Sequence, residues 1–520
     1  MLNRRPLLVA AYVALGAIPI MVSCNSFSGA NDLRFDEDDS NDDSMGAGGP
    51  IIPPIIGGGG EEIPVDKTVE AGGVAITAVA LYQGLKVPLM AEGAPATSDL
   101  PIVANRDALI RVFVTPDTTY NGQPVIGRLY LNGGKTPIEA SAALTAPSTD
   151  GDLATTINFD VPGKDIGIGT TYRIELRQNK GASAPSGMTK YPAAGAEPIQ
   201  VASDGQTLKV VIVPVEYQAD GSNRLPDMSA EQIKLYTDWL YSYYPIPAVE
   251  LTIRDQPMPW QQTVSPNGSG WETLLSAVGD LRQQDGVPAD VYYYGLFAPT
   301  DTEGQFCGGG GCVLGLANLA GPGNAFMRAA IGLGFTGTLH AETIIHELGH
   351  THGRQHTPCG NAAGVDPDYP HSDAMIGTWG YDLLAKKLWD PASNVRDLMS
   401  YCTPYWTSDY TYKAFFERLK VVNMAKIHTP PELMNRMYNR VRVGMDGSVT
   451  WLSPTKSELP PVGFEEKSVE LATEGGTQTV TGQWFPYDHI DGGILVWPAT
   501  ESPVKALKVT VDGKVKTLVR

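Results

Sequence analysis

The sequence predicts a multidomain protein: an α/β domain with a mostly parallel sheet and one long helix bearing the candidate site, flanked by an N-terminal β-sandwich and a small C-terminal β domain. Three observations carry this reading. The 520 residues are enough for about three domains. The apolar residues recur with period two near both ends of the folded part, and switch between strand and helix patterns in the middle. A hydrophobic content of 42% supports real cores, and beyond the N-terminus no segment is apolar for the length of a membrane span.

Residues 1–24 read as an export signal. Asn3-Arg4-Arg5 is a basic n-region, and Leu7 to Met21 is an apolar stretch too short for a stop-transfer helix. It ends in Met21-Val22-Ser23-Cys24, which resembles a bacterial lipoprotein signal, whose Cys is lipidated and becomes the mature N-terminus. The alternatives are an ordinary cleaved signal with an incidental Cys and, less in keeping with the sequence, a twin-Arg signal at Arg4-Arg5. Each reading exports the protein. Cys24 would anchor it by lipid at the outer membrane or cell surface, and otherwise it is secreted.

Residues 25–64 read as a tether, because acidic low complexity followed by GAGGPIIPPIIGGGGEEIP cannot bury a core. Seven acids and one Arg between Asp32 and Asp43 account for much of the net charge of −19. This balance excludes nucleic acid as a partner, since phosphate binding needs clustered Lys and Arg.

From 65 to 203, GVAITAVALYQ, ALIRVFVTP, GRLYLNGG, TTINFDVP and TYRIELRQN alternate apolar and polar residues between turns, as a sandwich does. This region reads as a spacer or, alternatively, a substrate-docking module. From 204 to 440 the period switches. LKVVIVPVEY, VELTIRDQPMP, DVYYYGLFAP, CVLGLANLA and NAFMRAAIGLG read as strands. SAEQIKLYTDWLYSYYP, capped at Ser229, and WETLLSAVGDLRQQ read as amphipathic helices. LHAETIIHELGHTHG is a helix with Thr338 as candidate N-cap and Gly353 as its stop, and SDYTYKAFFERLKVVNMAKI is another. From 441 to 520, GSVTWLSP, TQTVTGQWF, GGILVWPA and KALKVTVDG return to the strand pattern.

The chemistry lies in His346-Glu347-Leu348-Gly349-His350-Thr351-His352-Gly353-Arg354-Gln355-His356. Two His four apart on a helix share one face and can share one metal ion. Glu347 stands beside them, placed to take a proton from a water at the metal. Gly353 permits a sharp exit that returns His356 as third ligand. Three protein ligands leave a position open, the mark of a catalytic rather than a structural zinc site, with one zinc per chain.

These residues resemble the metzincin zinc endopeptidases, whose HExxHxxGxxH is followed by a Met-turn. Asp397-Leu398-Met399-Ser400-Tyr401-Cys402 supplies the second element. The resemblance covers roughly residues 206–437 and implies an α/β metzincin catalytic domain. It places Met399 as a floor beneath the imidazoles and Tyr401 near the metal as a transition-state stabiliser. CVLGLANLA would be the edge strand that pairs with extended substrate. Thr357 follows the third ligand, so the branch is open among bacterial, reprolysin-like and mucin-protease-like forms. No cysteine-switch motif precedes the domain.

The resemblance implies hydrolysis of peptide bonds in extracellular proteins or peptides. A catalytically weak surface adhesin on the same scaffold and a zinc hydrolase of non-peptide bonds are the rival readings. With Cys24 given to lipid, Cys307, Cys312, Cys359 and Cys402 allow three pairings. Proximity favours Cys307–Cys312 and Cys359–Cys402 over the others and over free thiols. His352, about 200° round the helix from His350, faces away from the metal. His340, His371, His428 and His489 stand alone and read as surface or satisfied core histidines. Asp366, Asp368 and Asp373 form either a calcium loop or a solvated one. Tyr405 and Trp406 wall a specificity pocket or pack in the core.

Overall fold

In the computed structural model, residues 66–520 are described except 180–183, 186, 203–205, 309, 425–435, 458 and 512. The signal, Cys24, the tether and His428 lie outside the described residues.

The α/β expectation is corrected. The chain is predominantly β, its sheets are mostly antiparallel, and the described residues hold five α-helices. Among the described strands, parallel pairing is confined to Leu208–Tyr217 with Val249–Ile253, Met258–Trp260 and Val291–Phe297, to Val291–Phe297 with Ala329–Leu333, and to the short pair Arg396–Asp397 and Tyr405–Trp406. Only α1 (Ala230–Tyr243) and α2 (Trp271–Gln284) are full-length crossovers between parallel strands. After α3 (Glu303–Cys307) the strand Gly315–Ala317 returns antiparallel at the sheet's edge. The apolar runs announce strands, but strand direction is set by which surfaces dock, and periodicity carries no sign of that.

Two antiparallel sheets built from Thr68 to Pro198 enclose one apolar cluster, with Val79, Ile110, Phe159, Ile174 and Leu176 inside. Arg106, wholly buried, ties this region to α1: its Nη2 donates to the Tyr241 carbonyl at 2.8 Å and its Nη1 to that of Ile246. Trp406 Nε1 donates to the Gly84 carbonyl at 2.9 Å and packs on Tyr243 and Trp389. Tyr405 and Trp406 are therefore core residues.

The helix of the HELGH segment, α4 (Thr338–Thr351), buries Ala341, Ile344, Ile345 and Leu348 at helical spacing against Tyr236, Leu240 and Tyr244 and against Phe415 of α5 (Asp409–Met424). Each large apolar side chain stabilises by about 1.5–3 kcal/mol. Gly337, not Thr338, is the N-cap, so no side chain caps this end. Past His352, Gly353 adopts φ +83°, the left-handed conformation that turns the chain out of the helix.

The C-terminal strands from Arg436 to Val519 form one seven-stranded antiparallel sheet. It is not detached. Tyr438, Phe485, Tyr487, Ile494 and Val496 share an apolar cluster with Trp271, Leu274 and Phe326, and Arg440 Nη2 reaches Asp280 at 2.6 Å. This docking aims the turn between Gly476–Pro486 and Gly493–Pro498 at α4.

Candidate metal centre

The ring nitrogens of His346, His350, His356 and His489 all lie within 4.8 Å of one another. A second, overlapping group joins Glu347, His350, Asp488 and His489. Three of the imidazoles are oriented by carbonyls. His346 Nδ1 donates to Leu398 O at 2.9 Å, His350 Nδ1 to Arg354 O at 2.6 Å, and His356 Nδ1 to Ala363 O at 2.6 Å. A carbonyl only accepts, so each Nδ1 carries the proton and each Nε2 a lone pair. His350 Nε2 and His346 Nε2 then face each other at 3.1 Å without a proton between them, an arrangement that a cation stabilises. Tetrahedral zinc–imidazole bonds of about 2.0–2.1 Å would separate such nitrogens by about 3.4 Å, so the set fits zinc with little movement.

Burial, before any neighbouring charge, holds all three imidazoles in the neutral form: His346 is pushed down to about 4, and His350 and His356 well below the usual range. Burial and then the negative charge of Asp488 push Glu347 well above the usual carboxylate range. Glu347 Oε2 and Asp488 Oδ2 are buried without a hydrogen-bond partner. A dication bound by the imidazoles beside these oxygens would favour the charged carboxylate and reverse that shift.

Glycines bring the parts close. A Cβ on Gly349 would stand 2.5 Å from Met399 Sδ, and one on Gly315 2.5 Å from Glu347 Oε1. The loop after Arg396–Asp397 delivers three groups. The Leu398 carbonyl orients His346, Met399 is wholly buried, and the Tyr401 hydroxyl lies 3.1 Å from His356 Nε2. Asp397 holds the loop, accepting from Met399 N at 2.8 Å and Ser408 N at 3.0 Å.

Cys307–Cys312 and Cys359–Cys402 are both disulfide-bonded, and the second ties this loop to the chain just past His356. Its separation of 43 residues corresponds to about 4 kcal/mol in the chain-entropy account. The Cys359→Ser/Cys402→Ser protein should lose about 2–4 kcal/mol in denaturant titration. An unchanged midpoint and slope would remove the bond from the account of stability.

His352 turns away, donating from Nδ1 to Leu348 O at 2.7 Å and stacking on Tyr292. His340 is buried near Phe335, and His371 pairs with Asp409 at 2.5 Å. Asp366 is engaged by Arg354 and Tyr410, and Asp373 by Arg396, so no calcium group assembles from this loop among the described residues.

Sequence reasoning missed His489 and Asp488. His489 is not an isolated histidine: Nε2 stands 3.0 Å from Glu347 Oε1 and 3.3 Å from Asp488 Oδ2, and Nδ1 meets the Tyr401 hydroxyl at 2.5 Å. Asp488 Oδ2 lies 3.3 Å from His350 Nε2. Asp488-His489 in a turn between two apolar strands looks like any polar hairpin tip, and only the docking of the C-terminal sheet distinguishes it.

Residues 323–416 match the family model Peptidase M66, a zinc metallopeptidase family. The match takes in α4, His356, Met399 and Tyr401, and ends before Asp488 and His489. No curated protein matches the chain.

Proposed function

We propose that this protein is a zinc-dependent endopeptidase in which His346, His350 and His356 hold the metal and Glu347 is the general base. The observation that carries the reading is the convergence of three deprotonated Nε2 atoms beside a buried carboxylate, inside a segment similar to a zinc metallopeptidase family. The proposal keeps the resemblance to metzincins for the two motifs alone, and the close approach of Met399 to Gly349 supports it. Zinc held there would supply Lewis acidity, drawing charge from the scissile carbonyl and lowering the pKa of a water. Glu347 takes the proton of the attacking water and passes it to the departing amine. Tyr401 donates its hydroxyl proton towards the developing oxyanion. The low polarity around α4 strengthens each of these interactions.

The working units are 204–440 for catalysis, 65–203 as a supporting spacer, and 441–520 as the source of Asp488 and His489. A zymogram of the zinc-loaded chain, with mass spectrometry of the fragments, tests the reaction. Fragments with new peptide termini are expected, and intact protein substrates would overturn the reading. Tyr401→Phe keeps the ring and removes one donor. It should lower kcat by about 10- to 100-fold with zinc content unchanged, less than the loss of the base.

Export and lipid attachment at Cys24 complete the proposal, on the strength of the short apolar stretch before that Cys. Cys24→Ser should move the protein from the membrane fraction to the soluble one. Unchanged fractionation with no acyl mass on the N-terminus would leave a plainly secreted enzyme.

A further inference from the structure

The site is closed in this structure. Glu347 is 1% exposed, His350 0% and His356 2%, while His346 keeps partial exposure, so a polypeptide reaching Glu347 requires a movement. Part of the cover is the turn Tyr487–Gly492 of the C-terminal sheet, which sets His489 3.0 Å from Glu347 Oε1 and Asp488 3.3 Å from His350 Nε2.

Three contacts define what the turn does. Gly315–Ala317 is an edge strand, with one side paired to Ala329–Leu333. A free edge beside a catalytic carboxylate is where an extended peptide would add as a further strand, through backbone hydrogen bonds. Here the Asp488 carboxylate accepts from Ala317 N at 3.1 Å, and Tyr487 forms an antiparallel bridge with Asn318. The chain's own segment thus uses groups a substrate would need. Second, the His489 ring stands among the three other imidazoles. One of its ring nitrogens lies within 4.8 Å of a ring nitrogen of each of them; Nδ1 meets the Tyr401 hydroxyl and Nε2 meets Glu347 Oε1 at 3.0 Å, contacts that a shared cation would replace. Third, His489 and Asp488 crowd Glu347, and His489 engages Tyr401, so the groups assigned to proton transfer and oxyanion stabilisation are occupied.

The turn is braced for this position. Tyr487 N donates to Gly492 O at 3.2 Å, closing it. Gly492 adopts φ +106°, and a Cβ there would stand 2.3 Å from Val443 O. Ile490 packs into the apolar cluster shared with α2.

We propose that Tyr487–Asp491 is a built-in inhibitory segment: His489 is a fourth ligand that closes the metal site, and Tyr487-Asp488 occupy the substrate's edge, so that activity requires the turn to swing away. This rests on the metal reading given above, but its test does not depend on cleavage being observed. A competing role for His489, as a catalytic group in the closed form, is disfavoured because the same segment blocks the peptide edge.

X-ray absorption at the zinc edge of the full-length, zinc-loaded protein should count four imidazoles per zinc in the wild type and three in His489→Ala and His489→Gln. Three in the wild type overturns the proposal, whether or not the protein cleaves anything. In the same variants, transfer of zinc to a chelator should quicken, and hydrolysis of a short peptide should rise. If the open form is a minor state of about 0.1–10%, releasing it raises the rate by about tenfold or more. Equal or lower hydrolysis in both variants, with zinc retained, overturns inhibition and makes His489 part of the catalytic machinery instead. Failure of every form to cleave peptide, with the imidazole count falling from four to three, would locate the error in the proposed reaction and leave the fourth ligand standing.

Discussion

Glu347→Gln should leave zinc bound and the fold intact while removing nearly all peptide hydrolysis. General-base catalysis contributes about 10²–10⁴-fold, and Glu347 is assigned both proton transfers, so the loss should approach 10⁴, about 5.4 kcal/mol of transition-state stabilisation. The substitution suits this position. Gln has the same shape as Glu, and the space is tight: Gly315 lies so close that even a Cβ there would touch the carboxylate. The amide also suits a neighbour such as Asp488, because it is neutral, the form that burial and that neighbour already favour for Glu347 in the metal-free chain. The folded variant should therefore be no less stable than wild type in the metal-free state. Near-normal turnover by Glu347→Gln would refute the mechanism even with the zinc site intact.

His350→Ala should abolish zinc binding, taking the stoichiometry from one per chain to near zero and activity to background. His350 is wholly buried, its Nε2 is 3.1 Å from that of His346, and it belongs to both candidate metal groups. Loss of a group that merely orients a ligand costs about 10–100-fold in metal affinity, so removing a ligand itself should cost more than 100-fold. A thermal readout checks this independently of catalysis. Zinc that binds only the folded chain raises the wild-type midpoint in proportion to the logarithm of its concentration over Kd, and should leave His350→Ala unmoved. A chelator should reproduce the same loss in the wild type, and added zinc should reverse it. Undiminished zinc in both His350→Ala and His346→Ala would place the ligands elsewhere.

Much of the site was legible in the sequence because its geometry is local. His346 and His350 are one turn apart on α4, Gly353 supplies the positive φ that ends the helix, and His356 returns within three residues. The two disulfides follow the short pairings that proximity favours. Met399 and Tyr401 were legible for a different reason: a second short motif with its own expected distance from the first.

Elsewhere, local pattern was insufficient. Strand periodicity gives a strand's existence and its buried face, but not the direction of its neighbour, so a chain of mostly antiparallel sheets was read as an α/β domain between two β domains. Trp406 has the same sequence surroundings whether it lines a pocket or, as here, bonds to Gly84 in the core. The sequence by itself determined the three-histidine spacing, the adjacent Glu347 and the paired cysteines, since covalent geometry and helix pitch constrain residues a few positions apart. Only the tertiary structure decided that Asp488 and His489, more than a hundred positions along the chain, reach Glu347 and His350. That contact depends on Phe485, Tyr487 and Ile494 docking against Trp271 and Leu274, and apolar docking is non-directional, so it leaves no spacing in the sequence from which to read it.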